Sequence, residues 1–308
     1  MTLAIVFPGQ GSQSVGMLNG LHAAMPALVD STFAEASDAL GQDLWQIVAQ
    51  GPEQKLNQTE ITQPAMLAAD IALWRAWQAK AGPAPSVVAG HSLGEYSALV
   101  CAGALEFKDA IKIVAQRGQF MQEAVPAGTG AMAAVLGLAD DDVIAACQEA
   151  AQGEVVEAVN FNAPGQVVIA GNKSAVERAA AAAKARGAKR AMLLPVSVPS
   201  HCALMRPAAD RLAQVLSAAK ISAPRITVLH NVDVRHHDSG SAIAEALVRQ
   251  LYSPVRWVET IRALPARGVT KVVECGPGKV LAGLIKRIDG ELPVVAVTDA
   301  ETLQTALA

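Results

Sequence analysis

The sequence predicts an α/β protein. Its main sheet is mostly parallel and covered by helices on both faces, and a smaller βαββαβ unit is inserted into it. Three observations carry this reading. Short apolar runs rich in β-branched residues alternate with helix-length runs along the 308 residues, the pattern of a parallel sheet with crossover helices. One such run, Val87–Ala89, passes through a tight glycine turn, Gly90-His91-Ser92-Leu93-Gly94, directly into a helical run. Between about 126 and 196 the order is strand, helix, hairpin, helix, strand, which is the ferredoxin-like arrangement. The expected organisation is therefore a larger domain from 1–125 and 197–308 with an insert at 126–196.

Composition supports a folded chain and excludes several function classes. Hydrophobic residues make up 52% and charged residues 17%, which is incompatible with extensive disorder. Aromatics are only 4%, and alanine runs favour helices packed closely on a sheet. The net charge of −3 provides neither the basic surface of a nucleic-acid binder nor a polybasic membrane patch. Cys101, Cys147, Cys202 and Cys275 form no C-x-x-C pair and are expected as reduced thiols. The start, Met1 to Pro8, has no basic leader and enters a strand directly. No charge-free apolar run reaches the ~18 residues that span a bilayer. The expected location is the cytoplasm, and a monomer is the default expectation.

Taken in order, Leu3–Phe7 reads as a buried strand. The loop Pro8-Gly9-Gln10-Gly11-Ser12-Gln13 follows, and Ser14 stands where G-x-G-x-x-G needs its third glycine. Helical patterns fill about 20–50 and 61–80, and Gly82-Pro83-Ala84-Pro85 breaks the chain before the strand at Val87. Ala104–Gln122 is a helix with an apolar stripe through Phe107, Ala110, Ile111, Val114, Gly118 and Met121. In the insert, strands are expected at Gly130–Leu138, Val155–Phe161, Gln166–Ala170 and Lys189–Val196, with helices at Asp140–Ala151 and Lys173–Arg186. The remainder reads as a helix through Leu216 starting near Pro207, a strand Ile226–Leu229 and a helix Ser241–Leu251. A strand Lys271–Glu274, a helix through Ile288 and a strand Pro293–Val297 complete the chain. Gly276-Pro277-Gly278-Lys279 is not a phosphate loop, because Val273 and Val280 replace the glycine and hydroxyl residue that motif needs.

The turn at 90–94 matches G-x-S-x-G, a nucleophile elbow that presents the serine hydroxyl at a helix N-terminus. A plain strand–helix turn with Ser92 as a cap would satisfy the same five residues. Serine needs a base to become a nucleophile. Among six histidines, His201 ends an apolar strand before a helix and follows the serine in chain order. His91 adjoins Ser92 but should point away; His22, His236 and His237 lie in polar segments and are expected in solvent, and His230 is expected to be structural. No acidic residue between Ser92 and His201 suggests itself as the third triad member. Helical spacing places Arg117 beside the inward stripe. A buried arginine needs an anionic partner, which is either a bound carboxylate or an acidic residue such as Glu95 or Glu123, unless the side chain snorkels outward. No H-E-x-x-H or paired Cys/His spacing indicates metal.

Phe7–Gln13, Gly90–Glu95, Gln116-Arg117-Gly118, Asn160 within Val159–Asn162, Pro199-Ser200-His201 and Glu274–Gly278 together resemble the malonyl-CoA:acyl carrier protein transacylase family, in order and over nearly the whole chain. The resemblance implies an α/β-hydrolase-like larger domain with a ferredoxin-like insert. It implies transfer of malonyl from malonyl-CoA to the phosphopantetheine thiol of acyl carrier protein, through a malonyl ester on Ser92 with His201 as base. It also implies an oxyanion hole from the N–H groups of Gln10 and Leu93, and a carboxylate clamp from Arg117. Substrate contacts or support come from His91, Asn160 and Met121, and the Gln250 carbonyl orients the histidine. No organic cofactor is implied. Lys184, Arg186, Lys189, Arg190, Lys286 and Arg287 are candidate contacts for an acidic carrier protein. A serine thioesterase or hydrolase, an acyltransferase of polyketide synthesis or with another acyl-CoA, and a non-catalytic carrier-binding module are the competing readings. The first predicts an acidic triad member and gives no reason for Arg117 to face inward.

Overall fold

The computed structural model describes residues 2–196 and 198–308. The strands among these residues are β1 (Leu3–Phe7), β2 (Val87–Gly90), β3 (Gly130–Leu136), β4 (Val156–Ala163), β5 (Gln166–Asn172), β6 (Arg190–Leu193), β7 (Thr227–Leu229), β8 (Lys271–Cys275) and β9 (Val294–Val297). Five form one sheet in the order β7-β2-β1-β8-β9, with every neighbouring pair parallel. The other four form a sheet in the order β4-β5-β3-β6, with every neighbouring pair antiparallel.

The central strand β1 shows why the parallel sheet is covered on both faces. Its five residues, Leu-Ala-Ile-Val-Phe, are all buried, as expected for a strand flanked by two helical layers. Leu3, Ile5 and Phe7 join one hydrophobic core, while Ala4 and Val6 join a second on the opposite face. The first core takes in the helices Thr59–Ala79 and Phe107–Ala124; the second takes in Trp257, Ile261, Leu281 and Ile285. This alternation follows from the two-residue period of a strand.

In the smaller sheet, the helices Asp140–Ala151 and Lys173–Ala185 cover one face with alanine-rich surfaces. The other face places Met132, Val159, Val168 and Ala170 against Cys202, next to His201. A backbone bridge ties β4 to the larger sheet's side: Phe161 N donates to Val255 O at 3.0 Å, and Val255 N donates to Val159 O at 2.8 Å. The loops after β1 and β2 therefore lie at the parallel sheet's carboxyl edge and beside the insert.

Most strands lie within one or two residues of their expected bounds; the differences have local causes. The expected run at 20–50 is three helices, Asn19–Ala24, Pro26–Leu40 and Leu44–Gln50. Left-handed Gly41 ends the second, and Asp43 caps the third by accepting from Gln46 N at 2.9 Å. The helix expected from Ala104 starts at Phe107, after Gly103 turns with φ of 70°. β4 runs to Ala163, so its hairpin turn is shorter than expected, and β6 is four residues instead of eight. Helices Trp257–Arg262 and Ala300–Leu307 were not expected. The expected boundary between 196 and 197, like Met1, touches residues outside the described ones.

His22, His236 and His237 are not in free solvent. Each is half-buried beside a carboxylate, Asp30 at 2.9 Å, Asp238 at 2.8 Å and Asp233 at 3.1 Å, which draws the rings onto the surface. His230 is fully buried against Glu95. Among the described residues, no helix is long and apolar enough to cross a membrane, and no group of three or more His, Cys, Asp or Glu is placed to hold a metal ion.

Candidate active site

The elbow is built by what its glycines lack. A Cβ on Gly90 would lie 1.9 Å from the Gly94 carbonyl carbon, and one on Gly94 would lie 2.2 Å from Phe7 O. Only glycine lets the turn close this tightly against β1. Between them Ser92 has φ of 51°, a conformation strained for a residue with a side chain. Asn231 holds it there. Its Oδ1 accepts from Ser92 N at 2.7 Å, and its Nδ2 donates to Gly90 O at 2.7 Å.

His201 meets Ser92 from the segment that follows the insert. Ser92 Oγ and His201 Nε2 are 2.7 Å apart, and His201 Nδ1 is 2.7 Å from the Gln250 carbonyl. A carbonyl can only accept, so Nδ1 carries the proton and Nε2 is the free base facing the serine O–H. The ring is 2% exposed. Burial first, and the Arg117 charge second, push its pKa down to about 3. The imidazole is therefore neutral near pH 7, the form a general base requires.

The loop after β1 faces the elbow. Gly9 packs so closely that a Cβ there would lie 2.4 Å from His91 O and 3.7 Å from Leu93 N. Among the described residues, neither the Gln10 nor the Leu93 backbone N–H makes a hydrogen bond. Two free donors thus flank the serine, with Leu93 at the N-terminus of the helix Gly94–Cys101.

Arg117 is 1% exposed, on the buried face of the helix Phe107–Ala124. It neither snorkels outward nor pairs with Glu95 or Glu123; Glu123 instead pairs with Arg211 at 2.5 Å. Its Nη1 donates to Gln63 Oε1 at 2.7 Å, and its Nη2 to Gln250 Oε1 at 3.0 Å and Ser92 Oγ at 3.3 Å. Its Nε is buried without a partner. Burial lowers its pKa, with Tyr96 and Glu95 opposing that fall.

A cavity of about 610 Å³ opens over Ser92 and His201, lined in part by Gln10, His91, Met132, Asn160 and Val196. Asn160 Oδ1 is buried without a hydrogen-bond partner. His91 Nε2 pairs with Asn162 Oδ1 at 2.8 Å, so the insert supports the elbow through Asn162. Met121 and Gln250 are buried and do not line the cavity. Met121 Sδ accepts from Gln63 Nε2 at 3.5 Å, which turns the Gln63 oxygen toward Arg117. Gln63, Asn162 and Asn231 are the site residues that sequence reasoning missed. All three are amides whose partners lie far away in sequence, and only the adjacency of Asn231 to the buried His230 offered a signal.

The arrangement sets a hydroxyl and a neutral base at the cavity, with free N–H donors beside the hydroxyl and a buried guanidinium behind it, 3.3 Å from Ser92 Oγ. These are parts that could carry covalent transfer of a carboxylate-bearing acyl group. Residues 4–298 match the family described as acyl transferase domain. The chain is 59% identical over 304 residues to the malonyl CoA-acyl carrier protein transacylase of Escherichia coli K12, covering 99% of this chain and 98% of that one. It is 45% identical to the Bacillus subtilis protein of the same name, covering 99% and 96%. Among solved structures, a malonyl-transacylase in complex with a type II PKS acyl-carrier protein (PlMCAT:AntF) matches with TM-score 0.98 and 60% identity over 100% of this chain and 99% of that one. The transacylase of Coxiella burnetii matches with TM-score 0.98 and 52% identity over 100% and 97%.

Proposed function

This chain belongs to the malonyl CoA-acyl carrier protein transacylases of the acyl transferase domain family, and on that premise we propose how its own residues carry the transfer. The chain moves malonyl from malonyl-CoA to acyl carrier protein, as a step of fatty acid synthesis. Ser92 Oγ attacks the thioester carbonyl carbon while His201 Nε2 takes the hydroxyl proton. The oxyanion forms between the N–H groups of Gln10 and Leu93. Collapse expels the CoA sulfur, which takes the proton from His201 and leaves a malonyl ester on Ser92. The phosphopantetheine thiol of holo acyl carrier protein then gives its proton to His201 and attacks the ester carbonyl. Ser92 regains the proton as malonyl-carrier leaves.

Arg117 receives the malonyl carboxylate. The observation that carries this reading is its position, 3.3 Å from the Ser92 Oγ that is itself 2.7 Å from His201. A bidentate carboxylate would also engage the unpartnered Nε. The free donors support the oxyanion role; one such group is worth ~10²–10³ in rate. His91 and Asn160 border the acyl chain, while the Gln250 side chain holds Arg117 directly and Met121 acts by orienting the Gln63 amide that holds it. The reaction needs no organic cofactor or metal. The Gln250 carbonyl in place of an acidic triad member speaks against the hydrolase alternative.

The same premise supports finer structural readings. The parallel sheet with the elbow after β2 is consistent with an α/β-hydrolase-like domain at 1–125 and 197–308. The order β4-β5-β3-β6, with two helices on one face, is consistent with a ferredoxin-like insert at 126–196. A cytoplasmic monomer without nucleic-acid or membrane partners is the accompanying expectation.

Arg117→Ala tests the clamp. A site built for a polar partner discriminates by ~10⁴–10⁵ against a donor lacking it. The variant should lose most malonyl loading and gain relative acetyl loading in a steady-state assay with each CoA ester. Unchanged malonyl transfer would remove Arg117 from the role.

A further inference from the structure

The charge on Arg117 is buried, yet among the described residues no carboxylate lies within ion-pair reach of it. Its partners on Gln63 and Gln250 are neutral amide oxygens. An acidic side chain placed there would satisfy the arginine and compete with an incoming carboxylate. The free enzyme must nonetheless keep the guanidinium in place between turnovers.

Glu95 sits on the far side of Gln250. It lies in the first turn of the helix Gly94–Cys101 and is 0% exposed. Its Oε1 is 2.7 Å from His230 Nδ1, and its Oε2 accepts from Asn231 N and Gln250 Nε2, each at 2.9 Å. The same Gln250 Nε2 donates to Ser92 O at 2.9 Å. These acceptors decide which way the Gln250 amide points. Reversed, it would set its oxygen against a carboxylate oxygen and a carbonyl, and its NH₂ against the guanidinium. With Nε2 drawn to Glu95, Oε1 must face Arg117.

We propose that Glu95 is a positioning residue for acyl-donor selectivity. Through the Gln250 amide it holds Arg117 in place and supplies a counter-charge one side chain away, leaving the guanidinium free for the donor's carboxylate. This rests on the reading that Arg117 receives the malonyl carboxylate. It also explains why a glutamate directly follows the elbow's second glycine yet takes no part in orienting His201.

The test is Glu95→Gln, which preserves shape and removes the charge. Loading of Ser92 is measured as kcat/KM with malonyl-CoA and with acetyl-CoA, in the wild type, in Glu95→Gln, in Arg117→Ala and in the double variant. The malonyl-to-acetyl ratio should fall about tenfold or more in Glu95→Gln, the scale of one hydrogen bond to a charged group. It should not fall further when the change is added to Arg117→Ala. An equal loss with both donors, an unmoved ratio, or a ratio that still shifts in the Arg117→Ala background would overturn the proposal and leave Glu95 as a structural tie between the elbow and Asn231. If Glu95→Gln does not fold, Gln250→Leu decides by the same criteria, because it keeps the backbone carbonyl and removes the amide bridge. If Arg117→Ala itself keeps the malonyl preference, the clamp reading fails and this one with it. If only Glu95→Gln keeps it, this one fails alone.

Discussion

His201 holds its place with φ of 66° and is buried between a hydroxyl and a carbonyl. Its folded pKa of about 3 lies below its ordinary 6.5, so the folded state favours the neutral ring. Below pH 6.5 the unfolded chain takes up the proton first. His201 therefore contributes stability at neutral pH that is lost as pH falls from 6.5 toward 3. The same shift predicts a flat kcat/KM for malonyl loading from pH 8 to about pH 5, because that parameter reports the free enzyme. An inflection near 6.5 in a pH profile would show that the base is not this buried imidazole. The meeting of Ser92 with His201 and the inward face of Arg117 were legible in the sequence from motif, chain order and helical spacing, although spacing alone left the arginine free to turn outward. Gln63, Asn162 and Asn231 were not, because an amide's partners are chosen by how distant segments meet. Arg117's partner remained open for the same reason. Spacing places it on a buried face, but only the fold sets two glutamines against it.

The elbow joins strand to helix through backbone contacts closer than any side chain allows. Gly94→Ala would push a Cβ to 2.2 Å from Phe7 O, so β1 or the helix must move. Overpacking of this kind costs ~1–3 kcal/mol. The expected result is a lower melting temperature and at least a tenfold loss of acyl-enzyme formation. Gly283→Ala is the matched control. It lies in the helix Val280–Ile288 with open space around it, and should be neutral or stabilising by up to ~1 kcal/mol. Equal effects of the two changes in thermal melts and loading assays would contradict the account of the elbow. Strands were legible because runs such as Leu3–Phe7 and Val87–Gly90 are apolar throughout and end in glycine or proline. The helix Trp257–Arg262 was missed because six residues carry too little periodicity. The final helix announces itself only through a cap, in which Thr302 N donates to Asp299 Oδ1 at 2.8 Å and Asp299 N to Thr302 Oγ1 at 3.0 Å.

At the scale of the whole molecule, the insert and the parallel sheet share the cavity, with Asn160 and Met132 on one side and Ser92 and His201 on the other. The order of elements was readable along the chain, but this face-to-face packing was not, since it rests on contacts such as Cys202 with Val168 that no local pattern encodes. Lys184, Lys189, Arg190 and Lys286 are exposed, whereas Arg186 is engaged by Glu149 at 2.9 Å and Arg287 bonds Gln166. An acidic carrier docking on these side chains predicts that transfer to carrier slows between low and 0.5 M salt, while transfer to a small thiol does not. Equal salt dependence for the two acceptors would move the docking surface elsewhere. The central claim is that Ser92 carries the malonyl group between its two thiols. Intact mass spectrometry after mixing the chain with malonyl-CoA, without and then with holo acyl carrier protein, tests it most directly. The account predicts a malonyl adduct on Ser92 that disappears as malonyl-carrier appears. An adduct decaying to free malonate at the same rate with or without carrier, or no adduct at all, would contradict it.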